Sequence, residues 1–186
     1  MAKEKIKQVA IKHFYKYGYE GVKMSQIAEE SGIRKQSLSY HYPSKRELFT
    51  DIYSDVIEEE IVFTQQYFKN LSNIPSKDIL YRFLKDMKLR AHDKPNSSFL
   101  QVVSFSTPLE IESFVSSHYL LYFNSLKTEI RKVFEKELFN YTPDECTVSF
   151  LILFDGLIIH LLYNTKQSFE YSLDVAFKIF WNSIQG

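Results

Sequence analysis

The sequence contains little of what stabilises secreted proteins or spans membranes. Cys146 is the one cysteine among 186 residues, so no disulfide can form within the chain and a reducing intracellular environment is expected. Residues 1–16 mix lysine with apolar residues, which argues against a signal peptide. The most apolar stretch, residues 150–163, is shorter than a bilayer span and contains Asp155 and His160, so we expect a buried helix there. These absences predict a soluble, cytoplasmic protein with no membrane partner.

The chain is also poor in turn-forming residues. Five glycines and five prolines are too few for a β-sandwich, whose chain turns about every ten residues. Apolar residues instead repeat at helical spacing, without the alternation of a strand. The sequence therefore predicts an all-α protein with about nine helices. After a first helix that carries Ile6 to Tyr17, we expect helices near residues 25–30, 35–41, 44–68, 99–105, 108–139, 143–163 and 171–183. A further amphipathic helix carries Ile79 to Met87 and is broken at residues 94–96.

Local signals mark several helix ends. Ser44 with Glu47, and Thr142 with Glu145, form capping boxes that predict helix starts. Gly32 follows a short apolar segment and predicts a left-handed residue at a helix end. Two short helices joined at this glycine, behind a longer first helix, make a helix-turn-helix pattern.

The net charge is zero, but the charges are unevenly distributed. Residues 1–47 contain ten Lys or Arg and five Glu, a net charge of +5, whereas residues 48–186 have a net charge of −5. A basic head on an acidic body is typical of a protein whose head meets a polyanion. A solvated, lysine-rich helix surface explains the same distribution equally well, so charge alone does not decide between them.

Residues 17–49, which read YGYEGVKMSQIAEESGIRKQSLSYHYPSKRELF, resemble the DNA-binding domain of TetR-family transcriptional regulators. The resemblance covers about the first fifty residues, and beyond residue 51 it extends only to the number and order of helices. It implies a homodimer, a two-helix dimerisation surface near the C-terminus and a ligand cavity under the DNA-binding domain. We therefore predict a helix-turn-helix DNA-binding domain at residues 1–47 and a ligand-binding and dimerisation domain at residues 48–186.

The head offers two kinds of candidate DNA contact. Side chains in the first turn of a recognition helix reach base edges, where Arg or Lys suits guanine and Gln suits adenine. Hydroxyls, amines and helix starts bind phosphates. The candidates are Lys23, Ser25, Arg34, Lys35, Gln36, Ser37, Ser39, Tyr40, His41 and Lys45. Each of them could instead be a solvated surface residue, and His41 could pack at a helix end.

Three positions differ from the family pattern. Lys23 and Arg34 stand where the family usually has a small hydroxyl residue, and Ser39 stands where it usually has Tyr. Tyr40 follows directly and could take over a backbone contact. These differences support an alternative function, that of a TetR-like small-molecule-binding protein with weakened or lost operator binding.

Aromatic residues are abundant beyond the head and predict a cavity for a flat or apolar effector. The candidate ligand contacts are Tyr81, Phe99, Phe105, Phe114, His118, Tyr122 and Phe154. Ordinary core packing is the alternative for each of them.

The two C-terminal helices predict the dimer interface. Residues 150–163 are apolar on all sides and residues 171–183 on two sides, so a four-helix bundle formed by two copies would cover both. Gly156 would let two helices approach closely. The candidate dimer contacts are Phe150, Phe154, Gly156, Leu157, His160, Leu161, Phe177, Phe180 and Trp181.

Enzyme motifs are missing from the sequence. It has no G-x-S-x-G, no G-x-G-x-x-G and no Walker loop, and its five histidines include no pair at helical ligand spacing. We predict no catalytic residues, no cofactor and no metal. The sequence favours a homodimeric repressor that binds a palindromic operator in double-stranded DNA and is released by a small, largely apolar or aromatic ligand.

Overall fold

The computed structural model describes residues 2–71, 73–93, 95–105, 107–163 and 166–185. Of these, residues 92, 93, 95, 101, 104, 105, 162, 163, 166 and 167 are described by their backbone alone. The described residues form nine α-helices and no strand, which confirms the predicted all-α class. The helices are α1 (Ala2–Gly21), α2 (Met24–Ser31), α3 (Lys35–His41), α4 (Lys45–Asn70), α5 (Ser76–Asp93), α6 (Pro95–Phe105), α7 (Leu109–Phe134), α8 (Pro143–Tyr163) and α9 (Lys166–Ile184).

The chain divides into two compact units. Unit 1 comprises residues 1–60 and 94–122, and unit 2 comprises residues 61–93 and 123–186. The helices α4 and α7 therefore contribute residues to both units. The predicted functional domains, residues 1–47 and 48–186, stay a prediction.

Two glycines shape the turns of the head, residues 1–47. Gly18 interrupts α1 with φ 65° and ψ 175°, a region that is open essentially to glycine alone. Gly32 ends α2 with φ 74° and ψ 29°, the predicted left-handed conformation. Its N–H donates to the carbonyl of Glu29 and that of Ile33 to the carbonyl of Ala28, both at 3.0 Å. The tight turn between α2 and α3 is thus closed by backbone hydrogen bonds.

Asparagine should distinguish the two glycines. Gly18→Asn should lower the free energy of unfolding by about 1–3 kcal/mol, because the Gly18 conformation strains any L residue. The cost is conformational, since a Cβ at Gly18 would meet nothing within 4 Å. Gly32→Asn should cost less than about 1 kcal/mol, because Asn tolerates the left-handed helical region. Urea denaturation of both variants measures the difference, and equal losses would contradict the backbone explanation.

The predicted capping box at Thr142 and Glu145 is complete, and the one at Ser44 and Glu47 is present with a side-chain bond in place of the bond from the N-cap N–H. The Glu47 N–H donates to Ser44 Oγ at 3.1 Å, and the Ser44 hydroxyl donates to Glu47 Oε1 at 3.1 Å. At the start of α8 the Thr142 N–H donates to Glu145 Oε2 at 2.8 Å, and the Glu145 N–H donates to Thr142 Oγ1 at 3.3 Å. These local bonds fix where α4 and α8 begin.

Three predicted helix bounds were wrong. Helix α6 begins at Pro95 instead of near residue 99, because proline suits the first position of a helix. Helix α7 ends at Phe134 instead of near residue 139, because the following segment is held by the end of α9. There the Asn140 N–H donates to the Ile184 carbonyl at 2.9 Å. Helix α9 begins at Lys166 instead of near residue 171, and its buried stripe includes Phe169 one turn before Leu173.

Each unit has an aromatic core. The rings of unit 1 join α1, α4, α6 and α7 through centroid distances between 3.9 and 6.5 Å. This aromatic cluster consists of Phe14, Tyr19, Phe49, Tyr53, Phe99, Phe114 and His118. In unit 2, Phe83 packs between Phe68 at 5.0 Å and Phe154 at 5.8 Å.

Candidate nucleic-acid interface

The recognition helix α3 is anchored to the rest of the head by one buried side chain. Leu38 is fully buried, and the other six side chains of this seven-residue helix are exposed. The Leu38 N–H donates to the Arg34 carbonyl at 3.1 Å and so closes the first turn. A short helix with a single anchor leaves its whole outer face available. The exposed residues of its first turn and N-cap are Arg34, Lys35, Gln36 and Ser37.

The remaining candidate DNA contacts are also at the surface. Lys23, Ser25, Ser39, Tyr40 and His41 are exposed, and Lys45 is half-buried. Tyr40 leaves 86% of its area in solvent, which is unusual for a large aromatic side chain. Its hydroxyl is therefore free to meet a phosphate or a base.

The starts of α2 and α3 carry no side-chain caps. Lys23 and Arg34 occupy the N-cap positions in extended conformation, and neither side chain accepts a hydrogen bond from the helix that follows. Helix N-termini attract anions, and the two basic side chains add positive charge beside them. The family departures seen in the sequence thus place cations where a hydroxyl cap would otherwise close the helix.

Lys45 contacts the end of α1. Its ammonium donates to the Tyr19 carbonyl at 2.9 Å and lies 4.5 Å from the centre of the Tyr19 ring. Arg46, which the list of candidates omitted, is exposed at the next position. The capping box could have indicated it, because Ser44 as N-cap places both residues 45 and 46 in the first turn of α4.

An ionic cluster ties the end of α3 to α1 and α4. The Tyr42 hydroxyl donates to Asp51 at 2.7 Å, and the ammonium groups of Lys7 and Lys3 lie 3.0 and 3.1 Å from the same carboxylate. Lys7 also pairs with Asp55. Burial raises the pKa of Asp51, but the hydrogen bonds from Tyr42, Lys7 and Lys3 outweigh it and hold that pKa at about 2. Asp51 is therefore ionised at neutral pH and positions the recognition helix.

The predicted ligand contacts are divided between the two units. Phe99, Phe114 and His118 belong to the aromatic cluster of unit 1, and Tyr122 is fully buried in the same unit. Phe154 packs against Phe83 in unit 2. The side chain of Phe105 lies outside the described residues.

Tyr81 lines an open surface groove of unit 2. The groove has a volume of about 290 Å³, and the Tyr81 hydroxyl donates there to Asp174 at 2.5 Å. The pKa of Tyr81 rises to about 12, because of this hydrogen bond and then burial. Tyr81 is therefore a neutral donor that is already engaged.

His118 is the most polar of the candidate ligand contacts. Its Nδ1 lies 2.9 Å from the Phe114 carbonyl oxygen, which can only accept a hydrogen bond. A proton on Nδ1 satisfies this oxygen, and in that tautomer Nε2 is an acceptor. A ligand donor such as a hydroxyl or amide N–H would suit that nitrogen.

Most of the predicted dimer contacts belong to the protomer's own core. Phe150, Phe154, Leu157, Phe177 and Trp181 are buried within unit 2, whereas His160, Leu161 and Phe180 are half-buried and Gly156 is exposed. The exposed apolar residues of these helices form a different set. It consists of Val148, Ile152 and Ile159 on α8 and Tyr171, Val175 and Ile179 on α9, which we call the α8–α9 stripe.

Neither a membrane span nor a metal cluster occurs in the part of the chain that the structure describes. None of its helices there combines the length and apolar character needed to cross a bilayer. No three His, Cys, Asp or Glu side chains there are grouped to hold a metal ion.

The fold and the exposed recognition helix define a helix-turn-helix DNA-binding protein. The sequence model of the bacterial regulatory proteins of the tetR family matches residues 6–52. The chain is also similar to the biofilm operon icaADBC HTH-type negative transcriptional regulator IcaR of Staphylococcus aureus. The two sequences are 26% identical over 167 residues, a match that covers 88% of this chain and 86% of IcaR.

Solved structures of TetR-family regulators have a similar fold. A TetR-family regulator from Agrobacterium tumefaciens has a TM-score of 0.78 at 16% identity and covers 100% of this chain and 98% of its own. FadR from Bacillus subtilis, solved in complex with stearoyl-CoA, has a TM-score of 0.72 at 14% identity. The match covers 98% of this chain and 99% of the FadR chain. Residues 6–52 thus match the tetR family model, and the whole chain resembles TetR-family transcriptional regulators in fold.

Proposed function

We propose that the protein is a homodimeric cytoplasmic repressor that binds a palindromic operator and is released by a small, largely apolar or aromatic ligand. The observation that supports this most directly is the first turn of α3, where Arg34, Lys35, Gln36 and Ser37 are exposed around buried Leu38. Repression is also supported by IcaR, a negative regulator that this chain matches over most of its length.

The exposed residues divide into two roles. Arg34, Lys35, Gln36 and Ser37 would read base edges in the major groove, because they lie at the start of the recognition helix. The others would bind phosphates and so fix the register of the head on the duplex. This second set consists of Lys23, Ser25, Ser39, Tyr40, His41 and Lys45.

Lys45 would reach a phosphate from its place beside the Tyr19 carbonyl, with exposed Arg46 next to it. The ammonium donates to the Tyr19 carbonyl at 2.9 Å and to the Glu20 carbonyl at 3.5 Å, so one of its three N–H groups would remain for a phosphate oxygen. Lys45 would therefore connect the DNA backbone with the end of α1.

Homodimerisation is supported by the α8–α9 stripe. Ile152 leaves 68% of its area exposed and Ile179 leaves 65%, on two helices of the same unit. A second copy would cover these side chains in a symmetric interface. Two heads held about 34–36 Å apart would then read the half-sites of a palindrome.

Release by a ligand would depend on the aromatic cluster of unit 1. His118 and Phe114 on α7 connect through Tyr53 to Phe49 on α4 and from there to Phe14 on α1. A ligand packed against α7 would favour one arrangement of these rings, and so one arrangement of the head, over another. FadR, a neighbour in fold, was solved with stearoyl-CoA, a ligand with a long apolar chain.

Binding to the DNA upstream of its own gene tests the proposal. Fluorescence anisotropy should show affinity that falls steeply with salt, with a slope of about −0.9 for each phosphate contact. The same length of scrambled DNA should bind at least about 1,000-fold more weakly. Equal, weak binding to both DNAs would contradict a repressor function.

A second function, small-molecule binding without an operator, is favoured by one observation. Lys23 and Arg34 leave the starts of α2 and α3 without side-chain caps, so the first turns that should meet DNA have less local support. Tight binding of an effector together with weak, non-specific DNA binding would identify this alternative.

Gln36→Ala should change the sequence preference of the protein. We expect a loss of about 1–3 kcal/mol on the operator and little change on random DNA, because an exposed Gln in the first turn can bond adenine N6 and N7. Anisotropy on both DNAs measures this. Ser39→Ala is the matched control, since Ser39 lies on the same helix in the phosphate-binding set. An equal loss on both DNAs would show that Gln36 contacts the backbone instead.

A further inference from the structure

Tyr19 bonds to two other helices at once. Its hydroxyl donates to Glu110 in the first turn of α7 at 3.1 Å, and its carbonyl accepts from Lys45 at the start of α4 at 2.9 Å. The ring packs on Phe14 and Phe49, and 4% of the residue remains exposed. Tyr19 therefore connects α1 to α4 and α7, all within unit 1.

The hydroxyl is what distinguishes Tyr19 from a purely apolar residue. Phenylalanine would supply the same ring contacts, and a buried hydroxyl is tolerated only when it has a partner. Burial, followed by the hydrogen bond to Glu110, raises the pKa of Tyr19 to about 12, so the hydroxyl remains a donor at neutral pH. Its structural contribution is the bond to α7.

The packing between α1, α6 and α7 leaves a pocket beside this bond. This pocket, with a volume of about 240 Å³, separates the end of α1 from the end of α6 and the start of α7. Its walls are Tyr17, Gly18, Tyr19, Glu20, Val102, Val103 and Pro108. Tyr17 and Glu20 on its wall are exposed, so it is a pocket open to solvent, and shape alone fixes the orientation of α1 less tightly here than a filled core would. The directional bond from Tyr19 to Glu110 therefore contributes more to orientation here than it would in a filled core.

We propose that the hydrogen bond between Tyr19 and Glu110 locks the DNA-binding head to α7, which makes Tyr19 a positioning residue for operator binding. The lock reaches the recognition helix through Lys45, three residues after the Tyr42 that ends α3. Without it the end of α1 can move into the neighbouring pocket, and the head samples orientations that do not fit the major groove. This inference rests on the proposed DNA-binding function.

Four variants test the lock. Tyr19→Phe removes the bond and keeps the ring, and Glu110→Ala removes the acceptor. Glu110→Gln removes the same negative charge but keeps an acceptor oxygen, so it is the matched control for Glu110→Ala. The fourth variant combines Tyr19→Phe with Glu110→Ala. Operator affinity is measured by anisotropy across a salt titration, and protection of the amides of residues 15–21 and 45–49 by hydrogen exchange.

We expect Tyr19→Phe and Glu110→Ala each to weaken operator binding by a factor of about 3 to 10, the usual worth of one hydrogen bond. Their salt slopes should equal that of the wild type, since neither loses a phosphate contact. Glu110→Gln should bind as the wild type does, and the double variant should lose no more than Tyr19→Phe alone. The same order should appear in the loss of amide protection.

Additive losses in the double variant, or a Glu110→Gln variant as weak as Glu110→Ala, would overturn the lock. If the wild type binds no operator, the proposed function fails while the amide exchange still tests the bond. Unchanged protection in Tyr19→Phe would then refute the lock independently.

Discussion

In the proposed homodimer, Gly156→Arg is expected to give a folded monomer that has lost more than about 100-fold in operator affinity. Gly156 is exposed on α8 between Ile152 and Ile159, and a Cβ there would meet nothing within 4 Å. The protomer should therefore tolerate the longer side chain, and arginine favours a helix by up to about 1 kcal/mol over glycine. Buried between two copies, the guanidinium would lose its hydration, which costs several kcal/mol.

In the proposed repressor, DNA affinity would depend on this interface, because each head would read few base pairs. A single seven-residue recognition helix offers too few contacts to find an operator among competing sites, and the second head contributes its energy only within a dimer. Sedimentation velocity gives the assembly state, and anisotropy gives the affinity. The non-specific binding of each head should persist, since Gly156 is far along the chain from α3 and outside unit 1.

Gln66→Arg is the control for added charge. Gln66 is exposed on α4 in the same unit as Gly156, but it is on another helix, whereas Gly156 lies between two residues of the α8–α9 stripe. This variant should remain a dimer with normal operator affinity. A folded Gly156→Arg dimer with full affinity would instead show that the interface lies on another surface.

Local signals predicted the helix-turn-helix well. The recognition helix was expected at residues 35–41, which are its observed bounds, because Gly32 and the single apolar Leu38 determine its turn and its anchor. Capping boxes likewise predicted the starts of α4 and α8, since the bonds involved join residues three positions apart. The end of α7 was missed because Asn140 bonds to the distant Ile184, which no local pattern reveals.

Surface and core could not be separated where a helix is apolar all round. On α8 the sequence pattern does not distinguish buried from exposed apolar residues. Tertiary packing buries Phe150 and Phe154 and leaves Ile152 and Ile159 exposed. The aromatic residues posed the same difficulty. The pattern shows that many rings must pack, but not that Phe99 joins α1 and α4 in a cluster of unit 1.

Phe49→Ala should lower the free energy of unfolding by about 3–5 kcal/mol, a large part of the stability of an ordinary domain. Phe49 is fully buried at the centre of the aromatic cluster of unit 1. The centroids of Phe14 and Tyr19 lie 5.2 Å from its own, and those of Tyr53 and Phe99 lie at 5.7 and 5.8 Å. Removing the ring leaves a cavity that four neighbours from three helices cannot fill together without moving.

Phe83→Ala separates this local effect from a general loss of stability. Phe83 is equally buried, but it packs with Phe68 and Phe154 in unit 2. Urea denaturation should show similar losses for both variants, whereas hydrogen exchange should show faster opening of α1 and the start of α4 in Phe49→Ala alone. Operator binding at a temperature where both variants are folded should then fall further for Phe49→Ala, because its cavity lies beside the helices that position α3. Equal losses of DNA affinity in the two variants would mean that the rings stabilise the fold without positioning the head.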